Sequence, residues 1–392
     1  LILLIGATVH IVNTTNAASG AVALFSQKFG KERGYWILIV LFLFFDFLGA
    51  YAGMIDPTVA FAPLMITIAL SLGYDVITGL AVTIMGIVVG WSAGPVNIFT
   101  TGIGQNLAGL RLFSGFWYRN FVLLILSAIA LFYLLRYAAK VRQNPERSVA
   151  YGLEGIPTLE TMGGSVEEVE FTTKRKIVLG LFIATIALIA CGSSHWKWGM
   201  IEMGAVYFAC GLGIGAFYGY GLNELADKAV EGMTIIFPGT LAVGVARGLS
   251  VLMEKAGIID TIIYWLASPL REMNTNIVSI GQLVLQTIIN FFIPSGTGQA
   301  MATLPIMLPV SDILGVSKQV AILAFQLGDG ISNMCYPTVA LLIGCLVYAK
   351  IPFSRWMRFI MPFMILSWIA SAALIYYASS IGWGTDHFLP AN

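Results

Sequence analysis

The sequence predicts an all-α integral membrane protein folded as an inverted repeat, with two re-entrant helical hairpins and two broken helices. Three observations predict it. The 392 residues are 58% hydrophobic and only 10% charged, against about 25% charged in soluble domains, and mean hydropathy is +0.85. The apolar runs are long and continuous, whereas barrel strands would alternate over about ten residues. The first third of the chain also returns, degenerate, in the last third. Ala62-Pro63-Leu64-Met65 overlays Leu304-Pro305-Ile306-Met307, and Leu72-Gly73-Tyr74-Asp75 overlays Leu314-Gly315-Val316-Ser317. The same shift brings Gly86 onto Gly328, Pro95 onto Pro337 and Gly102 onto Gly344. A slightly smaller shift lays Ile5-Gly6-Ala7 on Val243-Gly244-Val245. Chance likeness between apolar stretches would not keep Gly and Pro at nearly one offset.

The elements follow in order. Residues 1–26 read as a helix, apolar except for Asn13-Thr14-Thr15-Asn16, and Lys28, Lys31 and Arg33 mark an aqueous loop. Residues 35–72 are interrupted by Gly49, Gly53, Asp56 and Pro57. Each arm of that stretch is shorter than the roughly 20 residues a span needs, so a re-entrant hairpin with its tip at Gly53–Pro57 is expected, with one kinked span holding an internal loop as the alternative. A broken helix follows over 76–110, interrupted at Gly90–Asn97, and then a clean span over 117–139. Segment 140–176 holds 12 of the 41 charged side chains. Its basic residues Lys140, Arg142, Arg147, Lys174, Arg175 and Lys176, together with Arg136 just before it, put it on the cytoplasmic side. Plain spans near 177–194 and 201–221, an amphipathic stretch at 223–237 and a helix at 240–254 come next. The second hairpin covers 276–312 with its tip at Asn290–Gln299, the second broken helix covers 318–349 with its interruption at Gly328–Asn333, and 356–381 closes the chain.

The units are therefore 1–139, a first repeat; 140–176, the cytoplasmic linker; 177–239, connecting helices that begin the second repeat; and 240–392, the second repeat. About forty residues before the second match to Leu1 (Gly199 to Gly239) have no counterpart in the first copy, so its N-terminal part is expected to be missing. An odd number of crossings between the copies makes the repeat inverted. Two such copies in a membrane chain point to a transporter whose site lies where they meet.

Several classes are excluded. A net charge of +1 gives no reason to expect a nucleic-acid partner. Cys191, Cys210, Cys335 and Cys345 lie in or near apolar segments without a CxxC pair, and the three histidines are scattered, so neither a disulfide framework nor a metal site is expected. Without GxxxxGK[ST], HExxH or a strand-borne GxGxxG, an ATP-driven or hydrolytic mechanism is not expected, and no enzyme activity or cofactor is read. The partners expected are a small-molecule substrate and the lipid bilayer. Sodium and proton coupling both remain open.

Non-helical backbone at membrane depth must line a cavity or be buried in protein. Hairpin tips present helix N-terminal amides that hold anions, and breaks free carbonyls that coordinate cations. Ser295, Gly296, Thr297 and Gly298 suit such a tip, since glycine allows close approach and hydroxyls add short polar contacts. Asp329, between two glycines and one turn before Asn333, is a candidate for a cation or a substrate amine; a structural hydrogen bond is the alternative. Asp56 is equally read as a ligand contact or as the N-cap ahead of Pro57. Asp46 lies in the apolar Phe44-Phe45-Asp46-Phe47, where facing the cavity, carrying a proton and packing against a hidden partner are all open. Arg247, read as the only basic residue inside a span, either pairs with an acidic neighbour or clamps a substrate carboxylate. Asn97, Thr100 and Thr101 after the first break, with Ser332, Asn333 and Thr338 after the second, complete the polar lining. Asn97, Ser332, Asn333 and Asp329 are the ion-site candidates. Trp91 and Tyr336 are candidates for stacking on substrate.

Asn290–Ala300 (NFFIPSGTGQA), Ala324–Gly330 (AFQLGDG) and Ala349-Lys350-Ile351-Pro352 resemble the YfcC-type carriers. These are relatives of the anaerobic C4-dicarboxylate carriers and of arginine/ornithine exchangers, within the broad ion-transporter superfamily. The resemblance covers essentially the whole chain. It implies a secondary transporter of the inner membrane, usually dimeric, and carries over Ser295, Gly296, Thr297, Asp329 and Asn333 as site residues. The first half departs from the pattern. Gly53-Met54-Ile55-Asp56-Pro57 stands where relatives resemble Gly-Met-Ser-Glu-Glu, and Gly94-Pro95-Val96-Asn97 stands where they carry an Asn-Pro pair. The expected substrate is a basic or other amino acid, because intramembrane acidic residues outnumber Arg247, with a C4-dicarboxylate as the alternative.

Overall fold

Two helices, Val76–Ala93 and Lys318–Ser332, are buried along their length, Lys318 excepted, and cross where the two halves meet. The computed structural model describes residues 2–17, 34–53, 55–158, 172–196, 198, 200–258, 261, 265, 268 and 274–384, and the structural statements below concern these. In chain order the helices are α1 (Ile2–Thr14), α2 (Gly34–Phe47, continued by a π turn Leu48–Ala52), α3 (Ala62–Ser71, after a 3-10 turn Asp56–Phe61), α4 (Val76–Ala93), α5 (Ile103–Leu107, after a π turn Ile98–Gly102), α6 (Phe116–Gln143), α7 (Thr173–His195), α8 (Met200–Tyr218), α9 (Leu222–Lys255), α10 (Thr275–Phe292), α11 (Gly296–Ile313), α12 (Lys318–Ser332), α13 (Ala340–Tyr348) and α14 (Phe353–Ser380). No strand occurs among the described residues.

The central helices start alike. Gly73 and Gly315 both turn the chain with positive φ (81° and 74°), and then Asp75 and Ser317 each accept a bond from the backbone N–H three residues on, Thr78 and Val320. That is ordinary N-capping, at positions the sequence overlay matches. Asp75 also accepts from the Tyr137 and Ser148 hydroxyls, both at 2.6 Å, which ties the start of α4 to the end of α6 and the linker. The start of α12 lies elsewhere: Ser317 donates to the Trp383 carbonyl at 2.6 Å.

Around this centre the segments double back. A Cβ on Gly34 would meet Tyr74 at 3.3 Å and Leu72 at 3.4 Å, so α2 and α3 begin and end together. α10 and α11 form a second hairpin. Its arms are joined by Gln282 Nε2 donating to Ser311 Oγ (2.6 Å), Gln286 Nε2 to Thr303 Oγ1 (3.0 Å) and Gln299 Nε2 to Gln286 Oε1 (2.7 Å). α6 and α14 run antiparallel: Tyr118 donates to the Leu374 carbonyl near one end, and Tyr133 to the Phe359 carbonyl near the other. Large apolar side chains such as Trp36, Phe47, Trp117, Phe132 and Ile369 point outward, as lipid contact requires. Among the described residues four helices are long and apolar enough to cross a membrane: Gly34–Tyr51, Val76–Ala93, Phe116–Gln143 and Phe353–Ser380.

Three expectations are corrected. The first arm of hairpin one is long enough to span after all, because the π turn extends α2 to an 18-residue apolar run. The stretches 223–237 and 240–254 form a single helix, α9. The breaks lie later than the glycines suggested. α4 runs to Ala93, ending on left-handed Gly94, and α12 runs through Gly328 and Gly330 to Ser332. These glycines serve close packing: a Cβ on Gly330 would sit 2.4 Å from Ser92 Oγ, and one on Gly328 2.9 Å from the Leu283 carbonyl oxygen. The helix read over 1–26 is described as α1, a short turn and residues to 17, and its remainder lies outside the described residues.

Candidate functional site between the two halves

The tip of the second hairpin rests on the first break. Ile293-Pro294-Ser295 separates α10 from α11, and Ser295 Oγ caps α11 by accepting from the Gly298 N–H at 3.2 Å. Proline lacks the backbone donor and disfavours helical backbone in the residue before it, and serine is a strong N-cap, so the chain turns here. Next comes Gly296, where a Cβ would be 2.6 Å from Thr100, 3.0 Å from Trp91 and 3.1 Å from Asp329 Oδ2. Only glycine allows this approach. Thr297 then donates to the Phe99 carbonyl at 3.0 Å.

Asp329 lies at the middle of this contact. It is fully buried, and Trp91 Nε1 donates to its Oδ2 at 3.0 Å across the α4–α12 crossing. Its Oδ1 has no hydrogen-bond partner among the described residues. Two further buried polar atoms beside it are unpaired among the described residues, Thr100 Oγ1 and Asn290 Oδ1. Buried polar groups are nearly always paired, and a set of exceptions marks a place for a ligand, an ion or water. A carboxylate and a threonine hydroxyl are hard oxygen donors of the kind a sodium ion accepts. Among the described residues no three His, Cys, Asp or Glu side chains gather as a metal cluster.

The sequence candidates divide accordingly. Gly296, Thr297, Asp329, Thr100 and Trp91 come together directly. Ser332 and Asn333 join through Asn290, whose Nδ2 lies 2.9 Å from the Asp329 carbonyl, 2.8 Å from Ser332 Oγ and 2.9 Å from Asn333 Oδ1. Ser332 Oγ is committed to the helix end, donating to the Gly328 carbonyl at 2.6 Å, and Ser295 and Gly298 are committed to each other. Asn97 pairs with the first tip: its Oδ1 accepts from Phe99 N at 2.9 Å and lies 3.0 Å from a Cβ built on Gly53. Thr101 is held between the Gly94 carbonyl and Gln326 Oε1, both at 2.7 Å. Thr338 Oγ1, half-buried in the segment after α12, is unpaired among the described residues. Tyr336 is engaged elsewhere, donating to the Thr287 carbonyl and packing on Phe291. Asp46 lies apart from Asp329, with Oδ2 accepting from Ser127 on α6 at 2.8 Å. Asp56 opens the 3-10 turn and Arg247 lies within α9, but their side chains fall outside those described.

Arg119 was overlooked, and Arg247 is therefore not the only basic residue inside a span. Arg119 lies in the first turn of α6, where a charge reads as interfacial, yet it is fully buried. The glutamine and asparagine framework was also missed, although Gln282, Gln286 and Asn290 stand at i, i+4, i+8 on one face of α10.

Comparison with known proteins bears on this arrangement. The model of the DcuC family, described as C4-dicarboxylate anaerobic carrier, matches residues 1–380. YfcC of Escherichia coli (strain K12), described as a proposed basic amino acid antiporter, is 31% identical over 97% of this chain and 77% of its own length. An uncharacterized protein of Haemophilus influenzae is 26% identical over 92% of this chain and 71% of its own. Among solved structures, the YdaH transporter of Alcanivorax borkumensis is 14% identical with a TM-score of 0.49, covering 98% of this chain and 85% of its own. The Neisseria gonorrhoeae efflux pump MtrF is 19% identical with a TM-score of 0.48, covering 97% and 81%.

Proposed function

Since this chain belongs to the C4-dicarboxylate anaerobic carrier family, we propose that it is a secondary active transporter of the inner membrane working by alternating access, with its substrate bound where the halves meet. The substrate proposed first is an amino acid, a basic one ahead of others, moved by exchange or by coupling to Na+ or H+. One observation carries this: Asp329, fully buried, keeps an unpaired carboxylate oxygen at the junction of the hairpin tip and the first break. An ionised carboxylate at membrane depth costs several kcal/mol unless a partner answers it, and a substrate amine or a coupling cation is that partner. The description of YfcC points the same way. The opposed directions of α6 and α14, and the separate places where α4 and α12 begin, support an inverted repeat. Both hairpins are then read as re-entrant, the first because Gly34 lies against Leu72 and Tyr74, so that its two arms begin and end together although α2 alone is long enough to span. The resemblance of the sequence to YfcC-type carriers supports a homodimer.

A dicarboxylate is the second reading, favoured by the family itself and by buried Arg119. Counterflow in proteoliposomes decides: labelled arginine or ornithine exchanges under the first reading, labelled succinate or fumarate under the second. Failure of all four to move sinks both. Asp329→Asn is expected to abolish net transport and its ion dependence together. If both survive, Asp329 is structural.

A further inference from the structure

Burying Arg119 in this protein leaves its charge unanswered. Its guanidinium is completely buried, and no carboxylate lies within 4.0 Å of it among the described residues. What it has is one long bond, from Nη1 to Thr101 Oγ1 at 3.4 Å, and the Trp383 ring with its centroid 6.0 Å away. Its Nε and Nη2 have no acceptor among the described residues. A distant ring and one marginal bond do not offset the desolvation of a cation.

Which nitrogens are free is informative. In a guanidinium Nη1 lies on the side of Cδ, so Nε and Nη2 share the opposite edge and their N–H bonds run nearly parallel. That edge is the fork that grips the two oxygens of one carboxylate. Here the fork is open while the remaining nitrogen is anchored. The anchor leads to the site. Thr101 donates to Gln326 Oε1 at 2.7 Å, Gln326 Nε2 donates to the Trp91 carbonyl at 2.6 Å, and Trp91 Nε1 donates to Asp329 at 3.0 Å. Thr100, next to Thr101 in the same π turn, faces Gly296 at the tip.

We infer that Arg119 is a substrate-binding residue, gripping a carboxylate of the transported molecule through its Nε–Nη2 edge. This rests on the transport reading above and extends it: both proposed substrate classes carry a carboxylate, and a substrate without one is excluded. Full burial means the grip forms only in a state opened by the transport cycle.

Two pairs of probes test it on the purified full chain: arginine against agmatine, which lacks only the carboxylate, and succinate against succinamide. Protection against thermal unfolding and inhibition of counterflow are both read. In the wild type the acid of the effective pair is expected to act at concentrations about tenfold to a hundredfold lower than its carboxylate-free partner. Arg119→Gln is expected to erase that difference, and Arg119→Lys, keeping charge without the fork, to recover part of it. A wild-type preference retained in Arg119→Gln overturns the inference. So does a wild type indifferent to the carboxylate, or one that responds to neither acid. Should Arg119→Gln not fold, Arg119→Lys and the wild-type pairs still decide. If the acids protect through Arg119 but nothing is transported, the transport reading fails and the carboxylate site stands.

Discussion

Asn290 shows how much of the site rests on one side chain. Its two amide hydrogens serve three acceptors at the end of α12, the Asp329 carbonyl, Ser332 Oγ and Oδ1 of the C-cap Asn333, all within 2.9 Å. They fix the end of the helix that carries Asp329. Asn290→Ala would strand these buried acceptors, at a cost of about 2–4 kcal/mol. The variant is expected to melt several degrees lower in detergent and to transport poorly. Wild-type melting with Asn290→Ala would show the acceptors to be satisfied by other means. At this scale the sequence was uneven. Asp329 and the Ser295–Gly298 tip were legible because a carboxylate or a Ser-Gly run inside an apolar stretch has few explanations. Arg119 was not, because the end of an apolar run reads as the membrane surface, whereas the Trp383 turn folds over it. The i, i+4, i+8 stripe of α10 is legible from periodicity alone, since three amide side chains at that spacing share one face of a helix.

The α4–α12 crossing is the element on which the halves meet. Its closeness comes from residues without side chains: a Cβ on Gly330 would lie 2.5 Å from the Ser92 Cα, and one on Gly90, on another face of α4, would lie 2.0 Å from the Asp46 carbonyl oxygen. Glycine inside a helix costs about 1 kcal/mol relative to alanine, which is why the sequence read these positions as breaks. Tertiary packing reverses that preference, since backbone atoms cannot move aside as a flexible side chain can. Gly330→Ala must therefore force the two helices apart. It is expected to destabilise by about 3 kcal/mol or more, seen as a lower melting temperature with loss of transport. Gly213→Ala in α8, where a Cβ meets nothing within 4 Å, should be neutral or gain up to about 1 kcal/mol. Equal behaviour of the two variants would rule out the tight crossing. The overlay of Leu72–Asp75 on Leu314–Ser317 has a local cause: Asp75 and Ser317 cap the helices that follow turn glycines at matched positions, and capping depends on local chemistry rather than on distant packing.

For the molecule as a whole, the transport reading requires the halves to move relative to one another. The contact that must change is the one between the second tip and the first break, where Thr297 donates to the Phe99 carbonyl at 3.0 Å. Thr297 itself is exposed, so a cysteine there would be open to an aqueous thiol reagent. Substrate held at the junction beside Gly296 and Asp329 would cover it or shift the population of the open state. In a background with Cys191, Cys210, Cys335 and Cys345 replaced by alanine or serine, labelling of Thr297→Cys is expected to slow several-fold in saturating arginine or succinate, whichever the carrier moves. Ser380→Cys, at the exposed end of α14, should label at an unchanged rate and so control for reagent depletion and general stabilisation. Adding Asp329→Asn to the Thr297→Cys chain should remove the protection, because the substrate amine or the coupling cation then lacks its charged partner. A labelling rate at 297 that ignores substrate, or one that changes equally at 380, would detach the tip from the transport site and leave the Trp91–Asp329 contact a packing feature of the crossing helices.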